Sequence, residues 1–162
     1  NLLTRLAKHN IPERFFALEV TESGLLSDMH NARIQLAQLT EAKIAVAIDD
    51  FGTGHSSLAY VKTLPFSTLK IDRAFVMDLE KDTVDRQLAL TITQLAHAVG
   101  CNVVAEGIET AAQADYLRSI GCEAAQGYYY ARPLPADEFY RWCTNWKPHP
   151  NLTPATESVN GA

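Results

Sequence analysis

The sequence predicts an α/β fold of the (β/α)8 TIM type, with about five C-terminal βα units present and the first strands missing. Short apolar segments alternate with longer amphipathic segments along the 162 residues, which is typical of parallel βαβ units. Each of five predicted strands ends in or near a polar side chain, and such folds place their chemistry at the carboxyl ends of strands. An open doubly wound sheet shows the same alternation but collects ligands at one crevice, so five polar strand ends favour the barrel. Five strands cannot close a barrel, and we therefore expect about three more upstream.

The predicted strands are segments in which bulky side chains alternate with small or polar ones, because successive strand side chains point to opposite faces. They cover residues 16–22, 43–50, 69–72, 102–106 and 123–127. The central strand is the apolar run that ends at Asp49 and Asp50 and then breaks into a loop containing Gly52 and Gly54. Two adjacent carboxylates at a strand end are costly unless a positive charge lies beside them, so this strand end predicts a bound cation.

Helices are predicted between and around these strands, at about residues 1–10, 29–41, 56–63, 83–99, 111–120 and 136–146. Ser27 or Asp28 is suited to cap the second helix and Thr110 the fifth, while Gly100 and Gly121 end the fourth and fifth helices. We expect residues 1–147 to form one barrel-type domain and residues 148–162 to form a polar C-terminal tail.

Composition narrows the class of protein. Hydrophobic residues make up 47% of the chain, which is enough for the core of one domain. The net charge is −5 and no basic block is present, so we expect no nucleic acid duplex as partner. The three cysteines form no CxxC pair, which favours free thiols in a reducing compartment and hence a cytoplasmic location. No apolar run approaches membrane-spanning length, so we expect no membrane contact by this segment. The first residue is Asn1 rather than Met, which suggests a piece of a longer protein.

Many carboxylates and one ammonium fall on the predicted strand ends. The acids are Glu19, Glu22, Asp49, Asp50, Asp72, Glu106 and Glu109, and the ammonium belongs to Lys70. Burial of this much unpaired negative charge is prohibitive, and bound divalent cations would resolve it. All-oxygen ligands indicate Mg²⁺ or Mn²⁺ rather than Zn²⁺. Two such cations would polarise a phosphoryl oxygen and lower the pKa of a bridging water, while a carboxylate that binds no metal takes the water's proton and Lys70 steadies the developing charge.

Taken one by one, these acids also have structural explanations. Asp72 is placed to pair with Arg73 or Lys70, Glu22 to cap the following turn, and Glu109 to sit at a helix start. The tyrosines at residues 128–130 are explained best as core. Five polar strand ends together favour the metal site.

Five motifs resemble successive motifs of the EAL domain family and occur in the family's order. They are LEVTES at residues 18–23, IDDFGTGHSSL at 48–58, LKID at 69–72, VVAEGIET at 103–110 and QGYYYARPLP at 126–135. The resemblance covers residues 11–146. It implies a metal-dependent phosphodiesterase that opens cyclic di-GMP to linear pGpG, in bacterial second-messenger signalling and biofilm regulation.

The resemblance also implies roles for individual residues. Catalysis is assigned to Glu106 as general base and to Lys70, which holds the nucleophilic water. A two-metal site with Mg²⁺ or Mn²⁺ is assigned to Glu19, Asp49, Asp50 and Asp72. Substrate contact or support of the rim is assigned to Gln126, Glu109 and Glu22. Regulation is assigned to the loop residues Phe51, Gly52, Thr53 and Gly54, which in the family lie near a dimer interface.

The chain departs from the family mainly by what it lacks. The Glu-Ala-Leu motif, with its metal-binding Glu and nearby phosphate-binding Arg, is absent from this sequence, as is an Asn ligand, and the resemblance implies that both lie upstream. His55 stands where the family often has Tyr. We therefore expect phosphodiesterase activity in the full-length parent, a homodimer, and an upstream sensor or GGDEF-type domain. A membrane-anchored sensor with this domain on its cytoplasmic side is compatible with these expectations.

Two other functions fit parts of the pattern. One is a catalytically inactive module that binds cyclic di-GMP as a sensor, and the other is a metal-dependent barrel lyase with Lys70 as base. Inactive members of the family usually lose one of the acids. All of those within this stretch are present, which favours the enzyme.

Overall fold

The computed structural model describes residues 2–52 and 58–147 and divides the chain into two compact units, of which the first ends at Tyr130. The first unit contains a parallel sheet of five strands in the order β1-β2-β3-β4-β5. The strands are β1 (Ala17–Thr21), β2 (Ala45–Phe51), β3 (Thr68–Ile71), β4 (Asn102–Ala105) and β5 (Ala124–Ala125). The predicted α/β fold with parallel βαβ units is confirmed.

In the described part of this unit, six α-helices lie before and between the strands. They are α1 (Leu2–Lys8), α2 (Glu22–Ser27), α3 (Met29–Glu41), α4 (Leu58–Val61), α5 (Thr83–Ala98) and α6 (Ala111–Ser119). The predicted caps of α3 and α6 are confirmed: Asp28 accepts a hydrogen bond from Asn31 N at the start of α3, and Thr110 forms a reciprocal capping box with Gln113 at the start of α6. Local capping chemistry therefore fixes where these helices begin.

Three short helical elements in the described part of the chain were not predicted: α2 and two 3₁₀ turns, of which the first (Glu13–Phe15) precedes β1. α2 begins at Glu22, directly after β1, with Thr21 as its N-cap, so Glu22 is a helix residue rather than a cap. Its six residues include Gly24 and two serines, which are poor helix formers and hide the helix from pattern analysis. The second 3₁₀ turn (Arg73–Phe75) follows β3 and is capped by the Asp72 carboxylate.

The strands pair in step, so their carboxyl ends lie along one edge of the sheet. Thr21 pairs with Asp49, and Ile71 pairs with Ala105, which pairs in turn with Ala125. The register shifts once, between Ile48 and Phe51 on β2, where it meets β3. The residues after the paired positions therefore emerge side by side at this edge, and they include Asp72, Glu106 and Gln126.

The core lies on the helix-facing side of the sheet. Buried strand residues pack there with buried residues of α5 and α6, among them Ile48, Leu69, Ile71, Val103, Ile92, Ala96 and Leu117. The other face is open at β1, where Ala17, Glu19 and Thr21 are exposed. The acidic residues of β1 and β2 therefore project on the side away from the hydrophobic core.

The second unit contains α7 (Ala136–Asn145) in its described part. The rings of Phe139 and Trp142 stack with centroids 6.0 Å apart, and Trp142 and Trp146 follow at 6.1 Å. Among the described residues of both units, no helix has the length and apolar character needed to cross a membrane.

Replacement of a core leucine on α6 tests this packing. Leu117→Ala should lower the free energy of unfolding by about 2–5 kcal/mol, because Leu117 is fully buried and its loss leaves a cavity. The same change at Leu88 on α5, which is 39% exposed, should cost about 1 kcal/mol or less. Urea unfolding monitored by circular dichroism gives the free energy of unfolding of the two variants. Equal decreases in this free energy would contradict the assigned core.

Candidate active site

Lys70 is the centre of the acidic cluster at the strand ends. Its side chain is only 5% exposed, and its Nζ lies 2.7 Å from Glu19 Oε2, 3.1 Å from Asp49 Oδ1 and 2.5 Å from Glu106 Oε1. These residues come from β1, β2, β3 and the residue directly after β4. The structure thus brings together four of the residues predicted from sequence to form the site.

The charge state of Lys70 follows from these contacts. Burial by itself would lower the pKa of Lys70, but hydrogen bonds to Glu106, Glu19 and Asp49 outweigh it and raise the pKa. Lys70 is therefore an ammonium at neutral pH. A lysine general base needs the opposite shift, which argues against a lyase that uses Lys70 as its base.

Glu106 is held by a second partner. Gln126, directly after β5, donates from Nε2 to Glu106 Oε1 at 2.6 Å, and Lys70 contacts the same oxygen. The backbone N–H of Glu106 continues the sheet by donating to Ile71 O at 3.1 Å. Both described side-chain contacts of Glu106 therefore fall on Oε1, which fixes the orientation of the carboxylate.

The end of β2 carries a local distortion at Asp50. Asp50 has φ of 55°, in the left-handed region that is unfavourable for a residue with a Cβ, at the point where the register shifts. Its N–H donates to Asp49 Oδ1 at 3.1 Å. Desolvation, followed by the nearby carboxylates of Asp49 and Asp72, raises the pKa of Asp50. The three acids therefore share one region of negative charge, as predicted.

Glu22 is buried and accepts hydrogen bonds from groups outside the Lys70 cluster. It is only 2% exposed and accepts hydrogen bonds from Gly52 N at 3.1 Å and from Tyr60 Oη at 2.8 Å. Burial and the hydrogen bond to Glu22 raise the pKa of Tyr60, so the phenol stays protonated and donates. Gly52 has φ of 90° and lies against the ring of Phe75, and Phe51 is buried at the end of β2. Thr53 and Gly54, predicted with them as a loop, lie outside the described residues.

Glu109 forms an ion pair with Arg73, in which Arg73 Nη2 lies 2.7 Å from Glu109 Oε1. Asp72 instead caps its turn by accepting from Ala74 N at 2.8 Å. Arg73, one of the two partners predicted for Asp72, pairs with Glu109 instead. Neither this pair nor the Tyr60–Glu22 contact was predicted, because each joins residues far apart in sequence.

The donor chemistry of the cluster fits a hard divalent cation. Glu19 and Asp49 present carboxylate oxygens from adjacent strands, and Asp50 and Asp72 add two more acids beside them. Within residues 2–52 and 58–147, no group of three His, Cys, Asp or Glu side chains is arranged to hold a metal ion. The described acids thus suit Mg²⁺ or Mn²⁺ in kind, while they do not form a complete coordination shell.

Comparison with known proteins identifies relatives of this chain. The model of the EAL domain family matches residues 1–133. MucR of Pseudomonas aeruginosa, named a bifunctional diguanylate cyclase/cyclic di-GMP phosphodiesterase, is 41% identical over 133 residues, which are 82% of this chain and 19% of MucR. NbdA of the same organism, named a cyclic di-GMP phosphodiesterase, is 44% identical over 130 residues, which are 78% of this chain and 17% of NbdA. The chain spans less than a fifth of the length of these two curated relatives.

Solved structures agree with this comparison. The PaMucR phosphodiesterase in complex with c-di-GMP superposes with a TM-score of 0.81 at 40% identity, over 85% of this chain and 56% of that one. Klebsiella pneumoniae BlrP1, solved with c-di-GMP and either calcium or manganese, gives a TM-score of 0.76 at 29% identity, over 82% of this chain and 34% of that one. The five-stranded sheet is therefore part of a larger α/β barrel, and the chain belongs to the EAL domain family.

Proposed function

We propose that the full-length protein is a phosphodiesterase that hydrolyses cyclic di-GMP to linear pGpG. The observation that carries the proposal is the convergence of Glu19, Asp49 and Glu106 on the buried Lys70. The names of MucR and NbdA support the activity, and the c-di-GMP complexes of PaMucR and BlrP1 support the ligand.

We assign metal binding to four acids of the cluster. Glu19 and Asp49 would hold one Mg²⁺ or Mn²⁺, Asp50 would hold a second, and Asp72 lies beside them. Bound there, the cations supply Lewis acidity toward a phosphoryl oxygen and a water of lowered pKa. The manganese and calcium complexes of BlrP1 support a divalent cation in this family.

The geometry of Glu106 suits a general base. Lys70 and Gln126 hold Oε1, so we assign acceptance of a proton from the attacking water to Oε2. Lys70 remains charged, and its ammonium is assigned to hold that water and to stabilise negative charge on the phosphoryl oxygens. Gln126 would orient the base and line the substrate site.

The remaining predicted residues are assigned supporting functions. Glu22 fixes the backbone just beyond Asp50 through Gly52, and this contact supports a regulatory function for Phe51 and Gly52. Glu109 supports the rim through Arg73.

The wider setting of the domain belongs to the same proposal. The bifunctional name of MucR supports an attached GGDEF-type or sensor domain, and the family resemblance supports a homodimer. The free thiols of Cys101, Cys122 and Cys143 are compatible with the cytoplasmic location that we propose.

Replacement of the assigned base is the direct test. In the full-length protein, Glu106→Gln should lower kcat at least about 100-fold, because an amide of the same shape does not accept the water's proton. Binding of cyclic di-GMP should change little, since Gln retains the size of the side chain. Chromatographic measurement of pGpG release gives the rate, and isothermal titration calorimetry gives the affinity.

The matched control is Glu41→Gln, at the exposed end of α3, which should leave both quantities unchanged. Turnover of Glu106→Gln within about tenfold of wild type, a difference under ~1.4 kcal/mol, would exclude Glu106 as the base. Wild-type protein that binds cyclic di-GMP without releasing pGpG would instead support the inactive sensor module.

Asp49→Asn tests the metal assignment. An amide oxygen is a weaker ligand than a carboxylate, so the Mg²⁺ or Mn²⁺ concentration for half-maximal activity should rise about tenfold or more. Asp115→Asn on the outer surface of α6 is the control of the same chemistry and should not move this midpoint. Identical midpoints for Asp49→Asn and wild type would show that Asp49 does not bind the metal.

A further inference from the structure

Arg73 lies where the connection after β3 meets the connection after β4, and the function proposed above uses it only as the partner of Glu109. It is the first residue of the 3₁₀ turn after β3 and directly follows Asp72. The Asp72 carboxylate accepts from Ala74 N at 2.8 Å, so it caps the turn on which Arg73 stands. The start of the Arg73 side chain is thereby fixed relative to an acid of the cluster.

The aliphatic part of Arg73 packs on the backbone beside Glu106. A Cβ on Gly107 would overlap Cγ of Arg73 and would lie within 2.8 Å of its Cβ. Gly107 also has φ of 72°, which favours glycine. The Arg73 side chain therefore needs a glycine at residue 107, the position that immediately follows the assigned base.

The guanidinium of Arg73 contacts the other end of the segment of residues 107–109, at Glu109. Arg73 Nη2 lies 2.7 Å from Glu109 Oε1, and both side chains are about half exposed at 53% and 46%. Such an exposed pair contributes little to global stability. Its effect is local, because Arg73 touches the segment of residues 107–109 at both of its ends.

Other hydrogen bonds also join the start of α6 to the segment between β3 and α5. Gln113, which is buried, donates to Met77 O at 3.2 Å, and Thr110 Oγ1 donates to Glu80 Oε1 at 2.6 Å. Loss of Arg73 therefore leaves the α6 cap and its attachment in place. What it removes is the contact of Arg73 with Gly107 and Glu109, on either side of Ile108, whose backbone is also held by hydrogen bonds to Gln126 O and from Tyr129 N.

We propose that Arg73 is a positioning residue for Glu106, acting by packing on Gly107 and pairing with Glu109. This inference rests on the proposed function, since it concerns the orientation of the assigned base. Arg73 restrains the backbone on one side of Glu106, while Lys70 and Gln126 hold its carboxylate. A base displaced from its geometry slows the chemical step more than it weakens substrate binding.

The test compares three variants of the full-length protein. Arg73→Ala removes both the packing and the ion pair, and Arg73→Met keeps the packing stem but removes the guanidinium. Arg118→Ala is the control, because Arg118 forms an exposed pair with Asp115 on α6, away from the rim. Hydrogen exchange by mass spectrometry of residues 105–110 reads out position without any need for activity.

The expected results separate positioning from binding and from general destabilisation. Arg73→Ala should speed exchange of residues 105–110 by about fivefold or more, with exchange of β2 unchanged. At saturating metal it should lower kcat about tenfold while KM stays within about twofold. Arg73→Met should show the same changes in smaller measure, and Arg118→Ala should show none. The melting temperature should shift by about 2 °C or less in all three variants.

Two outcomes would overturn the inference. Exchange of residues 105–110 that is unchanged in Arg73→Ala would show that Arg73 does not hold this segment. A raised KM at unchanged kcat would show that Arg73 contacts substrate instead. A wild-type protein without turnover would overturn the proposed function, and the exchange measurement would still decide whether Arg73 positions Glu106. If Arg73→Ala fails to fold, Arg73→Met decides by the same two measurements.

Discussion

The charge balance around Lys70 is the interaction on which the site depends. A lysine side chain that is 5% exposed is strongly unfavourable without anionic partners, and here three carboxylates lie within 3.1 Å of Nζ. Those carboxylates come from β1, β2 and the end of β4, while the lysine itself is on β3. They meet only when four strands pair in the correct register. Correct pairing of the sheet and assembly of the site are therefore one requirement.

The distortion at the end of β2 places a second acid, Asp50, beside this cluster. A regular strand would send Asp49 and Asp50 to opposite faces, whereas the left-handed conformation of Asp50 changes the direction of its side chain. Such backbone strain costs on the order of 1–3 kcal/mol and persists only where the surroundings enforce it. Here the buried Glu22 holds Gly52, two residues further along, and Tyr60 holds Glu22 in turn. The strained conformation of Asp50 is thus stabilised through Glu22, whose two carboxylate oxygens each accept a hydrogen bond.

Local patterns in the sequence predicted most of the fold and that acids from several strand ends lie near Lys70. Alternating side chains located all five strands, and Asp28 and Thr110 located two helix starts, because these signals act within a few residues. Glu19, Asp49, Lys70 and Glu106 were grouped correctly because parallel strands end at one edge. The individual contacts between them were not predicted, since strand order alone does not say which carboxylates touch the Lys70 ammonium. α2 was missed because its composition disfavours a helix, and its start is set by Thr21 and the buried Glu22.

Pairing of Arg73 shows why sequence adjacency is a poor guide to electrostatic partners. Asp72 is its neighbour in the chain, but the Asp72 carboxylate is directed at Ala74 N, at the start of the turn. Glu109 is 36 residues away and lies within reach because Gly107 lets the arginine stem cross its backbone. The Arg73–Glu109 pair forms because the segments after β3 and β4 lie next to each other. Their proximity results from the pairing of these two strands in the folded sheet.

The surplus of negative charge also sets a condition on any phosphorylated ligand. Five carboxylates (Glu19, Asp49, Asp50, Asp72 and Glu106) face one ammonium in this region, and desolvation, followed by the charges of Asp49 and Asp72, raises the pKa of Asp50. Like charges only a few ångströms apart repel strongly where water is partly excluded. A phosphodiester would meet this repulsion at the carboxyl ends of the strands unless cations neutralised the acids first. The acids that would bind the cations would therefore also make metal binding a precondition for binding an anionic ligand, because Lys70 alone does not offset their charge.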